Sequence, residues 1–207
     1  MKATVCCTGE VLERQLNRND LQWIIDRSLE KDREVCGHPE AVWLQPHCKG
    51  LTVDIGCGQF KVLPSVLGID LLKAGERGKF GCMSGNISAA DISADAGDLY
   101  FIPDGMLDSV VSRHCFEHLR DPVATLREWL RILRPGGLLS MVLPNDTHHD
   151  MLNMDRDHKF RCYPSVISDA MRSLHNYGGK GIRGETLELG TDVQCRWSFF
   201  AQIQRTA

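Results

Sequence analysis

Apolar positions change their spacing near residue 50. Before it, Leu21, Ile24, Ile25, Ser28 and Leu29 group on one face of a helix. Residues 10–34 are therefore expected to be helical, in two pieces, with Asp20 capping the second. Gly37, Pro39 and Pro46 mark residues 35–50 as a linker or short turns. From residue 51 short apolar runs alternate with helical patterns. Leu51–Ile55, Val66–Ile69, Asp91–Ala94, Ser109–Ser112 and Leu138–Leu143 read as strands, the last apolar except for Ser140, as a central parallel strand should be. Between the last two, Asp121 and Pro122 have the chemistry of a helix start. Val123, Leu126, Leu130 and Leu133 then lie on one helical face until Pro135-Gly136-Gly137. A further helix fits Ser165–Leu174. Residues 73–90, with Gly75, Gly78, Gly81 and Gly85, read as a flexible loop. Thr186–Leu189 and Cys195–Gln204 read as two late strands that should pair antiparallel. The pattern predicts a mostly parallel α/β sheet that closes with an antiparallel pair, under an N-terminal helical cap.

Composition narrows the function. A chain of 207 residues is expected to form one domain: cap and linker 1–50, core 51–145, and an end segment 146–207. A net charge of −3 offers no field for phosphate backbones, so no nucleic-acid partner is expected. No apolar run reaches a membrane span, and Met1 to Glu10 lacks the apolar core of a secretory signal, so the expected location is the cytoplasm. The 9 cysteines, odd in number and scattered, suit reduced thiols. Cys36, His38, His47 and Cys48 are zinc-ligand types, but their spacing matches no common zinc module.

The sharpest motif is Val53-Asp54-Ile55-Gly56-Cys57-Gly58. Glycines at a strand end allow a tight turn and the approach of a ligand to the main chain. In parallel sheets, ligands bind beyond the carboxyl ends of the strands. The second strand ends at Asp70, where a carboxylate can accept from a ribose diol. The third ends at Asp95, where one can accept from an adenine amine. With Leu99–Asp104, Asp108, Glu117-His118 and Arg134–Gly137, these motifs resemble the class I S-adenosylmethionine-dependent methyltransferases, in their small-molecule branch. The resemblance is strong over residues 51–145. It implies a Rossmann-like doubly wound sheet and S-adenosyl-L-methionine as cofactor. It places Asp54, Gly56, Cys57 and Gly58 at the methionine end and Asp70 on the ribose hydroxyls. Leu71 would lie against the adenine, with Asp95 and the Ala96 amide at its edge and Ser112, Arg113 and His114 beside the sulfonium.

Two departures stand out. Phe60 replaces the family's third motif glycine, and only eleven residues separate Gly58 from Asp70. That is too short for the usual helix, leaving the cap to cover the methionine pocket. A dinucleotide site would need glycine where Lys61 stands. On the acceptor side, His114, His118 and His149 are candidate proton acceptors, because an unperturbed imidazole titrates near neutrality. His148, His149 and His158 with Asp150, Asp155 or Asp157 include cation-ligand types, but without a recognised spacing no metal site is assigned. The resemblance implies methyl transfer to oxygen, nitrogen or carbon of a small-molecule or glycan-like acceptor, by a monomer or homodimer. A non-catalytic cofactor-binding or scaffold subunit and an aminopropyl transferase are the competing readings.

Overall fold

The computed structural model describes residues 1–28, 32–78, 85–147, 150–177, 183–190 and 197–206. The strands are β1 (Thr4–Val5), β2 (Thr52–Ile55), β3 (Leu67–Asp70), β4 (Ile92–Ser93), β5 (Leu107–Arg113), β6 (Leu133–Pro144), β7 (Gly184–Gly190) and β8 (Ser198–Arg205). They form one sheet in the order β1-β4-β3-β2-β5-β6-β8-β7. The inner pairs from β4 to β6 are parallel. The β6–β8 and β7–β8 pairs are antiparallel, as the late apolar alternation predicts. All four residues of β2 are buried, so the glycine turn leaves from the centre of the sheet.

The helices are α1 (Arg18–Asp26), α2 (Pro39–Leu44), α3 (Pro122–Ile132), α4 (Met151–Met154) and α5 (Pro164–Tyr177). α3 forms where expected. The Asp121 side chain accepts from the Val123 and Ala124 N–H groups, and Leu126, Trp129, Leu130 and Ile132 are buried. The helix ends because Leu133 is extended. Pro135-Gly136-Gly137 is then part of the long strand β6 rather than a free turn.

The N-terminal region departs from expectation. Only Arg18–Asp26 of residues 10–34 is described as helix, and Asn17 caps it, with Asp20 returning the bond as the third residue of a capping box. Before it, residues 10–16 form no helix, and β1 adds an antiparallel edge to β4. The expected linker contains α2 and a 3-10 turn over Gln45–His47. Pro39 supplies the helical φ at the first position, and Leu44 packs with Val62, Val111, Val142 and Phe200 on the sheet face opposite α3. Leu29 and Cys195 lie outside the described residues.

The short segment between β2 and β3 has no helix, and side chains hold it instead. Asp54 Oδ2 accepts from Val62 N–H at 2.7 Å. Lys61 Nζ is 3.0 Å from Asp91 Oδ2 and 2.9 Å from Ser28 Oγ, in a pair whose side chains are 2% exposed. Asp91 also accepts from Gly68 N–H at 2.8 Å. Gly68 has no room for a Cβ, which would stand 2.8 Å from Lys61 Cδ. The N-terminal segment covers this stretch: Arg33 donates to Gln59 O and its guanidinium lies 5.2 Å from the Phe60 ring centroid.

Candidate active site

The carboxyl ends of β2, β3 and β4 bring three sequence motifs side by side. Gly56 and Gly58 have φ of +73° and +59°, which favour glycine. A Cβ on Gly56 would stand 2.6 Å from Cys115 Sγ, so the chain following β5 lies directly against this turn. Gly56 N–H and Cys57 N–H both point to Ile69 O, at 2.8 and 3.2 Å, and bind the turn to β3. Asp70 then closes it from the neighbouring strand: Oδ2 accepts from Gly58 N–H at 2.9 Å and Oδ1 from Leu72 N–H at 3.1 Å. Each carboxylate oxygen has a second lone pair left for a ligand hydroxyl. Leu71 beside it is 62% exposed, an apolar surface next to a polar anchor. Asp95 is partly buried, and its Oδ1 accepts from Gly97 N–H at 2.8 Å. Ala96 is fixed from below, because Trp129 Nε1 donates to its carbonyl at 2.9 Å.

Other residues assigned to this site have internal contacts of their own. Asp54 is buried beneath the turn, where burial pushes its carboxyl up to about 6 despite the Val62 N–H bond. Cys57 and Cys115 are raised well above the ordinary thiol value, first by burial and then by nearby acids, and are packing groups rather than nucleophiles. Ser112 lies within β5, not after it, and donates to Ile55 O at 2.9 Å. Arg113 is the last residue of that strand, with a weak contact from its guanidinium to Cys36 Sγ at 4.0 Å.

His114 turns the chain out of the sheet with φ of +50°, a positive value on a non-glycine residue. Its Nε2 is 3.1 Å from both oxygens of Glu40, and its Nδ1 is 3.5 Å from Glu117 Oε1. Burial alone would lower its pKa, but Glu117 and Glu40 outweigh that and hold it at about 9. Both carboxylates thus favour the protonated ring. Burial would also raise Glu40, yet His114, Ser198 and His38 hold it at about 2. Glu40 also accepts from Ser198 Oγ. It is a residue the sequence reading passes over, because it lies in the stretch taken for a linker. The Pro39-Glu40 helix start was the available signal.

His118 follows in the 3-10 turn Phe116–His118, with its ring 4.8 Å from that of His158. Around His158, Phe160 meets Phe116, and Asp146 accepts from Cys162 N–H at 2.7 Å. Burial lowers the His158 pKa, against the pull of Glu117. His148 and His149 lie outside the described residues.

Residues 53–141 match a family model described as a methyltransferase domain. Within these bounds the chain carries a match to a methyltransferase domain. The methyltransferase match begins at Val53 and ends at Met141, so it contains the glycine turn, Asp70, Asp95 and the β5 exit. Ajmaline N-methyltransferase of Rauvolfia serpentina is 36% identical over 62 residues, which are 29% of this chain and 21% of that enzyme. The shared stretch thus spans about a fifth of that relative. The methyltransferase fold extends further than sequence identity. A chain from the Haloferax volcanii complex of the Trm112 methyltransferase activator with a methyltransferase has a TM-score of 0.58 at 16% identity, over 92% of this chain and 95% of that one. A SAM-dependent methyltransferase from Archaeoglobus fulgidus has a TM-score of 0.53 at 19% identity, over 80% and 92% of the two chains. Both are similar in fold. Among the described residues, no helix is long and apolar enough to cross a membrane.

Proposed function

We propose that this methyltransferase domain binds S-adenosyl-L-methionine and transfers its methyl group to a small-molecule acceptor. The observation that carries this reading is the alignment of Gly56–Gly58, Asp70 and Asp95 at the ends of three adjacent parallel strands. The positive-φ glycines leave backbone free of Cβ atoms where the cofactor would lie. Asp70 fits a ribose diol, because its position is fixed by Gly58 and Leu72 N–H groups while lone pairs remain. Leu71 and the Asp95–Gly97 turn fit an apolar ring with a polar edge. Nothing in this arrangement supplies an anion site, which suits a sulfonium cofactor without phosphates.

S-Adenosyl-L-methionine, when bound, supplies an activated methyl group. The chain then needs to align the acceptor with it at about 3–3.5 Å and keep water away. Residues 1–50 and 146–207 are proposed to form the acceptor side, through Glu40, His158 and Ser198. In this reading His114 is a fixed positive charge. His118 and His149 stay proposals from the sequence on the acceptor side. A non-catalytic cofactor-binding subunit is not favoured by the family match.

Calorimetric titration with S-adenosyl-L-methionine and its demethylated product tests the cofactor assignment. Saturable binding of both is expected. At about 100 times Kd, either should add about 2.7 kcal/mol to stability. Asp70→Ala should weaken both at least tenfold while leaving the circular dichroism spectrum intact. Absence of binding to the native chain would overturn the reading, and unchanged affinity in the variant would remove the ribose role of Asp70.

A further inference from the structure

Glu117 is fully buried, at 0% exposure, and neither carboxylate oxygen has a hydrogen-bond partner among the described residues. A buried carboxylate needs a pairing charge or a metal, and here the charged partner, His114, stands 3.5 Å away without a hydrogen bond. Three imidazole nitrogens surround Oε1: His114 Nδ1 at 3.5 Å, His158 Nε2 at 3.8 Å and His118 Nε2 at 3.9 Å. These distances exceed an N–H···O bond but bracket the space of an ion.

His114 already has Glu40 on its other nitrogen, whereas His158 has a second orphan, with Nδ1 buried and unpartnered. One ligand atom each from Glu117, His118 and His158 lie within 4.8 Å of one another. Bonds of about 2.0–2.2 Å would bring neighbouring ligand atoms of a tetrahedral ion to about 3.4 Å, a contraction that small ring rotations allow. The backbone fixes the two segments against each other, since Lys159 N–H donates to Glu117 O at 2.8 Å. The His118 side chain is 28% exposed, which leaves the cluster open on one side.

We propose that Glu117, His118 and His158 bind one divalent transition-metal ion, through a carboxylate oxygen and two imidazole nitrogens. Two imidazoles and one carboxylate suit Zn²⁺ or Co²⁺ better than Mg²⁺ or Ca²⁺, which prefer oxygen. Three protein ligands leave a position for an oxygen or nitrogen of a small molecule. The spacing in sequence hides the site, because Glu117-His118 and His158 belong to different segments.

Titrating metal-stripped protein with Co²⁺, without cofactor, tests this. One equivalent should bind with visible absorption bands and without the intense near-ultraviolet bands of Co²⁺–thiolate coordination, and Zn²⁺ should displace it. Glu117→Gln and His158→Ala should each weaken binding at least tenfold, while His175→Ala, on α5, should leave it unchanged. Circular dichroism and denaturant midpoints check that each variant folds; the partly exposed His118→Ala carries the test if a buried variant does not. Less than one equivalent, thiolate bands, or unchanged affinity in the folded variants would overturn the site. None of these outcomes depends on S-adenosyl-L-methionine, so failure here and failure of the cofactor assignment are separate results.

Discussion

Gly56 combines two demands that only glycine satisfies, a φ of +73° and a Cys115 side chain in the space of a Cβ. Gly56→Ala should cost about 2–4 kcal/mol, combining backbone strain with overpacking. Adding Cys115→Gly should recover the packing part and leave the strain, as read by urea denaturation of both proteins. The glycine turn was legible because conformational need is local. The task of Asp54 was less so. The resemblance places it at the methionine end, whereas its Oδ2 is occupied by Val62 N–H within a loop closure that spacing alone does not reveal.

Asp54 also titrates. Its folded value of about 6 lies above the unfolded value of about 3.9. Its contribution is therefore fully favourable below about pH 4 and is lost as pH rises through 6. At pH 8 the ionised buried group costs about 3 kcal/mol relative to the acid end. The stability of Asp54→Asn relative to the native protein should rise by about 2–3 kcal/mol between pH 4 and pH 8, measured by denaturation at each pH. A flat difference would show that Asp54 is not held away from its ordinary value.

At the level of elements, regular periodicity was readable and substitution for a missing element was not. α3 shows its cap, its first proline and its apolar face in consecutive residues, and it forms over Pro122–Ile132. The stretch between β2 and β3 shows none of these. Its place is kept by the ion pair of Lys61 and Asp91, thirty residues apart in sequence, with Ser28 from the N-terminal segment. Breaking a buried pair from one side leaves an uncompensated charge, so Lys61→Met should destabilise by about 3–5 kcal/mol. A denaturant midpoint shifted by less than a quarter of that would assign the stability of this segment to its backbone bonds instead. α2 was lost for a related reason. Its six residues are too few for a periodic signal, and its apolar face becomes meaningful only once Val111, Val142 and Phe200 are assembled opposite it.

Across the whole molecule, the mostly parallel sheet and its late antiparallel pair were legible from apolar patterning, but the proposed acceptor side draws on residues that no local pattern connects. Glu40 of α2 reaches His114 at the exit of β5 and Ser198 at the start of β8, joining the two ends of the chain across the sheet. This tie has the opposite proton linkage to Asp54. Glu40 is held at about 2, below the unfolded value of about 4.3, so its contribution is present above about pH 4 and lost as pH falls through 2. Glu40→Gln should therefore cost about 2–3 kcal/mol at pH 7, with the difference shrinking toward pH 2, and hydrogen exchange should quicken at α2 and at the start of β8 together. Faster exchange at α2 alone would mean that the helix is held by its apolar face and that the tie across the sheet carries little of the fold.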